Sequence, residues 1–468
     1  MQAGKENSDR FGSAVEKVLS YPIQLWFVLL IVLLCFCASL LFSAAVRYYT
    51  SGGEKLGNFG PVVDKVASLP DQIKLVFSQI YNQSLQATNE QRFDGQAGFK
   101  FNYPSGSRLD LGYFLINRYD GDVGHAVSEL WDLNAQQMVH RWKFAIVDDS
   151  WSYFKLGSIK AKVSVDVAAV TFRNSHAFLE DDGQLLTHTS PSPIIRINSC
   201  SLLSSYTSAG SFHHSIEMDY AGNFWVPTRM EPKSVQIGRQ DSFIDDGIAL
   251  LGTNGDVLFK KSVIQILDDN SLGHLIYGAG VSNSDPVHLN DIEPVLTDGK
   301  FWKRGDVFLS LRHQSAVLLY RPSANKVIWF KSGPWMHQHD VVILNDHQIS
   351  VYDNRAALDG VSAWKVRGAN EFLIYDFKND EVSSPFKDAF SKLDIRTLTE
   401  GRGQMIGNDV WVEETNYGRT LQFSRAGEIT WQYVNRAKDG KVYLLNWSRP
   451  ISRELGDKVR SVVTKEKC

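Results

Sequence analysis

The hydrophobic positions of this chain first form one long uncharged run near its beginning. No residue from Val18 to Val46 is charged, and Leu25–Cys35 is apolar throughout. A helix crosses the hydrocarbon part of a bilayer with about 20 residues, whereas a cleavable signal peptide has an apolar stretch of roughly 7–15. We therefore predict a flexible polar tail over 1–20 and an uncleaved transmembrane anchor over 21–46, with cleavage after the small residues 43–45 as the alternative.

A different spacing follows the uncharged run. Glycine-rich segments between 51 and 60 predict a hinge. From 61 to 85 the apolar residues recur every three or four positions, which is typical of amphipathic helices. We interpret 47–100 as a linker and a short helical neck.

From about Arg108 onward the pattern changes to short hydrophobic runs separated by Asp, Asn and Gly turns, which predicts β-strands. Two pieces recur. One is a polar turn followed by a strand that ends in Trp142, Trp329 or Trp431, and the other begins with His176, His214 or His339. Repeated Trp-rich antiparallel units favour a β-propeller. We predict an all-β domain over 101–468, a six-bladed β-propeller.

Charge and cysteine content narrow the function and the compartment. The chain has 49 Lys and Arg against 52 Asp and Glu, a net charge of -3, so no general field attracts nucleic acid. Cys35 and Cys37 lie inside the apolar run, and Cys200 and Cys468 neither require nor exclude an oxidising compartment. Basic residues flank the run on both sides. The extracytoplasmic placement of the large domain rests on the short tail and single anchor.

The histidines carry the candidate chemistry. All 12 lie between His125 and His347. The first strand of each propeller blade lines the central channel, so His214, His288 and His339 are predicted to converge there. Arg312 follows the next strand, and one Arg with several imidazoles suits an anionic tetrahedral group.

Four further histidines lie near these strands. His337 and His339 lie two strand positions apart and on one face, which is compatible with a metal site, but spacing fixes no third ligand. His213 and His313 are interpreted as packing residues, and His176 is left open between a structural and a site role.

Carboxylates also lie close to the predicted channel histidines. Asp291 and Asp340 are expected either to orient an imidazole or to cap a turn, and Asp353–Asn354 looks like a strand-end turn. The chain has no dinucleotide-binding, P-loop or nucleophile-elbow motif. We predict no cofactor and assign no metal.

Several of these segments together resemble a known family. They are His288-Leu-Asn-Asp, Ser310-Leu-Arg-His-Gln-Ser-Ala-Val, Lys326-Val-Ile-Trp, Gln338-His-Asp and Val351-Tyr-Asp-Asn. Their order and spacing resemble the core of the arylsulfotransferase (ASST-type) family, over about 110–450. The chain departs from the family pattern at Ser215, where an acidic residue is frequent, and it shows no clear disulfide pair.

The resemblance implies a six-bladed propeller that moves a sulfuryl group from a phenolic sulfate ester to a phenolic acceptor without a nucleotide sulfate donor. By the same resemblance His339 is the histidine that becomes sulfated, His288 and Arg312 bind the sulfate, and His214 completes the site. Asn290 is a further sulfate contact. The alternatives are a non-catalytic propeller that binds a protein or glycan, and a metal-dependent hydrolase that uses His337 and His339.

Overall fold

The computed structural model describes residues 24–50, 56–59, 62–63, 66–67, 86–88, 90–93, 95–144, 172–235, 243–278, 284–359, 363–465 and 468. They belong to two units, 1–85 and 86–468. The predicted tail over 1–20 and most of the predicted neck helices lie outside the described residues.

The first unit is built around the helix α1, Leu25–Thr50. Its segment Leu25–Tyr48 has a mean hydropathy of 2.9 and is long and apolar enough to cross a membrane, a property that a signal sequence shares. The helix continues past Val46 because a single charge does not end a helix, and Arg47 in its last turn complements the helix dipole. A short 3-10 turn follows at Gly57–Phe59.

The second unit is dominated by strands. In the first half of the unit they are β1 Ala87–Thr88, β2 Gly98–Phe101, β3 Tyr113–Asp120, β4 His125–Asp132, β5 Gln137–Lys143, β6 Ser175–Leu179, β7 Leu185–His188, β8 Ser192–Ile197, β9 Leu203–Phe212, β10 Glu217–Met218, β11 Phe224–Arg229, β12 Asp246–Leu251 and β13 Val257–Ser262. In the second half they are β14 Leu289–Pro294, β15 Val307–Leu311, β16 Ala316–Arg321, β17 Lys326–Ser332, β18 His339–Ile343, β19 Gln348–Asp353, β20 Ala356–Asp359, β21 Ala363–Val366, β22 Glu371–Asp376, β23 Glu381–Ser383, β24 Arg402–Ile406, β25 Asp409–Glu414, β26 Arg419–Phe423, β27 Ile429–Val434, β28 Val442–Tyr443 and β29 Arg449–Ile451. The helices are α2 Val263–Asp269, α3 His274–Tyr277, α4 Lys387–Lys392 and α5 Arg453–Val463, with 3-10 turns at Pro322–Ala324 and Thr415–Tyr417.

Most of these strands form antiparallel sheets in chain order. One sheet is β14-β15-β16-β17, another is β18-β19-β22-β23, and β24 to β27 form a third with β2 on its outer edge. The strands β6 to β13 form one longer sheet, and β29-β3-β4-β5 joins the last strand to three early ones. Because β29 pairs with β3, with Ile451 opposite Tyr113, the C-terminal end of the chain closes the arrangement.

Neighbouring sheets meet along their first strands. The strand β14 contacts β10 and β18, and β18 contacts β24. The buried cores lie between adjacent sheets: Val317 of one sheet and Val351 of the next belong to the same cluster. Radially repeated sheets with shared cores and adjacent inner strands define a β-propeller, and this is the fold of the second unit.

The recurring sequence pieces occupy equivalent places in this fold. Trp142, Trp329 and Trp431 lie on β5, β17 and β27, which are the fourth strands of their sheets. The recurring sequence segments that begin with histidine contain first strands of blades. The weak sequence repeat therefore corresponds to the inner and outer strands of the blades.

A disulfide corrects the expectation that the chain has no clear cysteine pair. Cys200, in the turn between β8 and β9, is bonded to Cys468 across a sequence separation of 268 residues. The helix α5 buries Val459 and Val463 in the core that β3 to β8 share. Spacing could not reveal this pair because only the folded arrangement of α5 brings the C-terminus to that turn.

Candidate active site

The predicted histidines lie at, or just before, the first residues of the inner strands. His339 begins β18, His288 immediately precedes β14, and His214 lies just before β10. His214 and His288 have φ values of 58° and 51°, in the left-handed region that side chains seldom adopt. Such conformations persist where the surrounding structure enforces them, and they concentrate at functional sites.

The imidazole rings form a continuous cluster. The ring centre of His214 lies 5.3 Å from that of His288, 6.5 Å from that of His339 and 6.1 Å from that of His176. His176 also stacks on Trp447 at 3.9 Å. The rings therefore face one small volume, as predicted for His214, His288 and His339, rather than pointing away from each other.

His339 is held in one tautomer. Its Nδ1 lies 2.7 Å from Oδ1 of Asn354, and its Nε2 accepts a hydrogen bond from the Glu400 backbone N–H at 3.1 Å. The Asn354 side-chain nitrogen donates to the carbonyls of Thr397 and Glu400, so its oxygen must face the histidine. Nδ1 of His339 therefore carries the proton, and Nε2 keeps its lone pair.

The loop that approaches His339 depends on a glycine. Glu400 has φ 61° and Gly401 has φ 96°. A Cβ on Gly401 would lie 2.4 Å from the methyl carbon of Thr397, which no side chain tolerates. The Glu400 carboxylate pairs with Arg173 at 3.0 Å and fixes the loop further.

Burial and charge keep His339 neutral. Its side chain is almost fully buried, and burial, followed by the positive charge of Arg312, places the pKa of His339 well below its usual value. Burial likewise holds the pKa of His214 well below the ordinary value, with the neighbouring histidines adding to the effect. At neutral pH both rings are uncharged, and His339 has the protonation state of a nucleophile.

Arg312 is a buried cation: burial lowers the pKa of its guanidinium, and the nearby charge of Asp285 partly opposes that effect. The residue is 5% exposed, and its Nε is buried and has no hydrogen-bond partner among the described residues. Its backbone N–H donates to the carbonyl of His288 at 3.1 Å, which places it at the same end of the sheet. Buried donors are rarely left unpaired, so this Nε is an unusual feature of the site.

His288 has a carboxylate partner that sequence reasoning missed. Its Nδ1 faces Oδ2 of Asp285 at 2.5 Å. Burial opposes ionisation of Asp285, but the hydrogen bond with His288 and the electrostatic effect of the neighbouring histidines together outweigh it, and the pKa of Asp285 is lowered. Asp285 is therefore the group that orients an imidazole here, and it leaves Nε2 of His288 for proton transfer.

Asp291 and Asp340 do not orient an imidazole. Asp291 accepts a hydrogen bond from the Val341 N–H at 2.8 Å, and Asp340 accepts one from Gly403 and pairs with Arg402 at 3.1 Å. These carboxylates join neighbouring inner strands. Among the described contacts, neither carboxylate orients an imidazole or caps a turn, so both alternatives expected from the sequence are replaced by a link between strands.

Asn290 lies beside the segment that carries His339. Its Nδ2 donates to the Gln338 carbonyl at 2.7 Å, and its Oδ1 is buried and has no partner among the described residues. An amide oxygen does not attract an anion, so in this arrangement the side chain supports the backbone before His339.

The remaining histidines extend the cluster. Nδ1 of His213 lies 2.7 Å from Nδ1 of His214, so one ring donates a hydrogen bond to the other. The ring of His313 packs 4.6 Å from that of His288, and Nδ1 of His337 donates to the Ala356 carbonyl at 2.8 Å. Burial lowers the pKa of His337 to about 4.

The metal alternative involves different residues from those predicted. Among the described residues, the group of three possible ligands within 4.8 Å of each other is Asp285, His288 and His313. His337 and His339 do not belong to it. The expectation that His337 and His339 share a strand face is wrong, because β18 begins at His339 and His337 precedes it with a φ of 53°.

Two supporting residues escaped the sequence analysis for different reasons. Asn354 was interpreted only as a strand-end turn, and it does follow β19, but its side chain also binds His339. Asp285 lies three residues before His288, a spacing that does not by itself indicate a site. Each of the two contacts is made within one blade, by a supporting residue just outside its strands, where the sequence repeat gives no signal.

A comparison with known families decides the relationship. The sequence profile of the arylsulfotransferase (ASST) family matches residues 194–436. The chain belongs to the arylsulfotransferase family. The matched region of this arylsulfotransferase family member contains His214, His288, Arg312, His339 and Asn354. None of the curated proteins with which the chain was compared matches it.

Comparisons with solved structures find other proteins of low identity. A chain of the nidogen/laminin complex is 10% identical with a TM-score of 0.38, over 71% of this chain and 97% of that chain. Virginiamycin B lyase from Staphylococcus aureus is 10% identical with a TM-score of 0.35, over 74% and 99%. A streptogramin B lyase is 11% identical with a TM-score of 0.33, over 75% and 98%. At these values the likeness bears on neither substrate nor mechanism of the arylsulfotransferase chain.

Proposed function

We propose that the protein is a membrane-anchored aryl-sulfate sulfotransferase that works through a sulfated His339. The observation that carries this proposal is a neutral histidine, locked in one tautomer, in the electrostatic field of the buried Arg312, whose Nε has no hydrogen-bond partner among the described residues. A nucleophile next to a buried guanidinium suits an anionic electrophile such as a sulfate ester. Membership of the arylsulfotransferase family supports the same reaction class.

In the first half-reaction the lone pair of His339 Nε2 attacks the sulfur of the phenolic sulfate. An N–S bond forms, the S–O bond to the arene breaks, and its electron pair leaves with the phenoxide. Charge on the three remaining sulfuryl oxygens is stabilised by Arg312, since positioned cations supply most of the catalysis in such loose transition states. The Glu400 N–H releases Nε2 on attack and becomes free to donate to one of those oxygens.

Protons move through His288. With Asp285 on its Nδ1, the protonated ring can give the Nε2 proton to the leaving phenoxide. In the second half-reaction it removes the proton of the acceptor phenol, whose oxygen attacks the sulfur while the N–S bond breaks. His214 is neutral and close to both other rings, so we assign it contact with the sulfuryl group rather than acid catalysis.

We further propose six blades. The longer sheet divides naturally in two, because β9 and β11 are joined only by the pair Phe212–Thr228. Division there gives β6 to β9 and β10 to β13, each with four strands. Together with the four other main sheets this supports the count expected from the sequence.

The helix α1 is proposed as an uncleaved anchor with the propeller outside the cytoplasm. The apolar segment Leu25–Tyr48 is longer than the core of a signal peptide. The bond between Cys200 and Cys468 supports an oxidising compartment, since structural disulfides persist there.

A transfer assay tests the proposed reaction. Full-length protein in detergent is given an aryl sulfate and a panel of phenols, and the released phenol and the new sulfate ester are both measured. We expect ping-pong kinetics and no transfer by His339→Ala. His347→Ala is the matched control, because His347 lies at the far turn of the same blade and pairs with Asp346. Equal transfer by wild type and His339→Ala would refute the mechanism.

Metal-dependent hydrolysis is the second candidate, favoured by the group Asp285, His288 and His313. It differs from the first in its product, because water replaces the phenol as acceptor. It also predicts that a chelator abolishes the reaction and that His313→Ala lowers zinc affinity. The sulfotransfer proposal predicts neither loss of transfer on chelation nor a need for added metal.

A further inference from the structure

The blade that contains His339 carries an extra hairpin. Between β19 and β22 the strands β20 and β21 pair with each other, with Trp364 opposite Leu358. The His337 ring anchors the base of the hairpin, since its Nδ1 donates to the Ala356 carbonyl. An insertion within one blade thus reaches the end of the sheet at which the histidines lie.

Trp364 places an aromatic surface next to the anion site. The Arg312 guanidinium carbon lies 5.3 Å from the Trp364 ring centre, and the His337 ring lies 4.6 Å from it, edge to face. The indole is only partly buried, so some of its apolar surface is not covered by these two neighbours. It offers the guanidinium no hydrogen-bond acceptor, and Nε of Arg312 stays unpaired beside it among the described residues.

The two parts of an aryl sulfate donor match Arg312 and Trp364. In an aryl sulfate the arene is bonded to the sulfate through one oxygen, so a sulfate held by Arg312 leaves the arene within a ring's length of the guanidinium. We infer that Trp364 binds the aryl group of the donor and is the residue that favours aryl sulfates over sulfate alone. This inference rests on the proposed function and names the specificity determinant of the same site.

A purely structural role for Trp364 makes a different prediction. If the indole only covers Arg312, its removal weakens every ligand of the guanidinium equally. If it binds the arene, its removal weakens aryl sulfates and leaves inorganic sulfate unchanged. Offset aromatic pairs have a preferred geometry that aliphatic side chains cannot supply, so Phe should replace Trp better than Leu does.

The experiment compares equilibrium binding by calorimetry, which does not depend on turnover. Inorganic sulfate, phenyl sulfate and naphthyl sulfate are titrated into full-length His339→Ala protein, which forms no sulfated intermediate, and into the same protein carrying Trp364→Leu or Trp364→Phe. Trp329→Leu is the matched control, because Trp329 is also partly buried but lies on an outer strand against Tyr375. We expect Trp364→Leu to raise the Kd of phenyl sulfate about 10-fold, equivalent to about 1.4 kcal/mol, and that of naphthyl sulfate more.

For inorganic sulfate the Kd should be the same in all four proteins, and Trp364→Phe should recover most of the aryl affinity. An equal rise for inorganic sulfate and phenyl sulfate, or an unchanged Kd for phenyl sulfate in Trp364→Leu, would overturn the inference. These outcomes differ from a failure of the proposed function, which is the absence of sulfuryl transfer by wild type despite binding.

Discussion

The hydrogen bond between Asn354 and His339 should control the reactivity of the histidine. Replacement of Asn354 by Leu keeps a similar volume but removes the acceptor for Nδ1–H. The ring then either leaves a buried donor unpaired, at a cost of about 1–3 kcal/mol, or moves its proton to Nε2 and loses the nucleophilic lone pair. Both changes oppose attack on sulfur.

A cost of this size corresponds to a rate roughly 5- to 150-fold lower for sulfation of His339. The assay is a single turnover with excess enzyme, in which phenol release is followed over a range of pH. Asn354→Asp provides the diagnostic comparison, because it keeps the acceptor and adds a negative charge. That charge favours the imidazolium, raises the pKa of His339 and moves the acidic limb of the pH profile to higher pH.

Asn370→Leu is the control for loss of structure. Asn370 is buried, donates to the carbonyls of Asn354 and Thr397, and accepts from the Thr397 N–H, but it has no hydrogen bond to His339 in the described part of the chain. We expect it to lower thermal stability without moving the pH profile. If Asn354→Leu and Asn370→Leu reduce the rate alike, or if Asn354→Asp leaves the profile in place, the positioning role is refuted.

Three further changes test charge and stability. Arg312→Gln should weaken inorganic sulfate binding about 10- to 150-fold, since charged hydrogen bonds contribute about 1.5–3 kcal/mol. It should also raise the pKa of His339, so that the acidic limb of the rate profile moves to higher pH. An unchanged Kd for sulfate contradicts the anion site. Burial raises the pKa of Asp291 to about 8, from the value of 3.8 that serves for the unfolded chain. Between about pH 4 and 8 the native state therefore holds a proton that the unfolded state has lost, and the free energy of unfolding falls as pH rises. In urea titrations Asp291→Asn should flatten that fall by up to about 1.4 kcal/mol per pH unit, and parallel curves for wild type and variant contradict this. Cys200→Ser should lower the free energy of unfolding by roughly 2–5 kcal/mol, and reduction of the disulfide in the wild type should lower it by the same amount. Equal unfolding midpoints for oxidised and reduced wild type contradict this.

The sequence pattern predicted those parts of the fold in which one kind of element recurs along the chain. The Trp-ended and His-started pieces could be recognised because each blade uses the same inner and outer strand, and this repeat put His214, His288 and His339 in one place. The uncharged run predicted α1 for a similar reason, since its length alone is characteristic. Whether α1 is retained depends on processing, which the pattern does not determine.

The supporting residues could not be predicted because their contacts depend on the folded positions of loop and strand-end side chains. Asp285 faces His288, and Asn354 faces His339, through side chains whose spacing has no periodic meaning. The Glu400 N–H reaches His339 from 61 residues away in sequence, by a turn that Gly401 alone permits. The pair Cys200 and Cys468 has the same origin, because it joins segments that meet only when α5 packs on the first sheets.

The most direct test of the central claim is to identify the covalent intermediate. Full-length protein is mixed with an aryl sulfate in the absence of a phenol, quenched under alkaline conditions that preserve N-sulfonated histidine, digested and mapped by mass spectrometry. The account predicts one added SO3 group on the peptide that contains His339, its loss when a phenol is added, and no such peptide from His339→Ala. Transfer by wild type with the SO3 group on another residue, or with no labelled peptide at all, would contradict the assignment of His339 as the nucleophile.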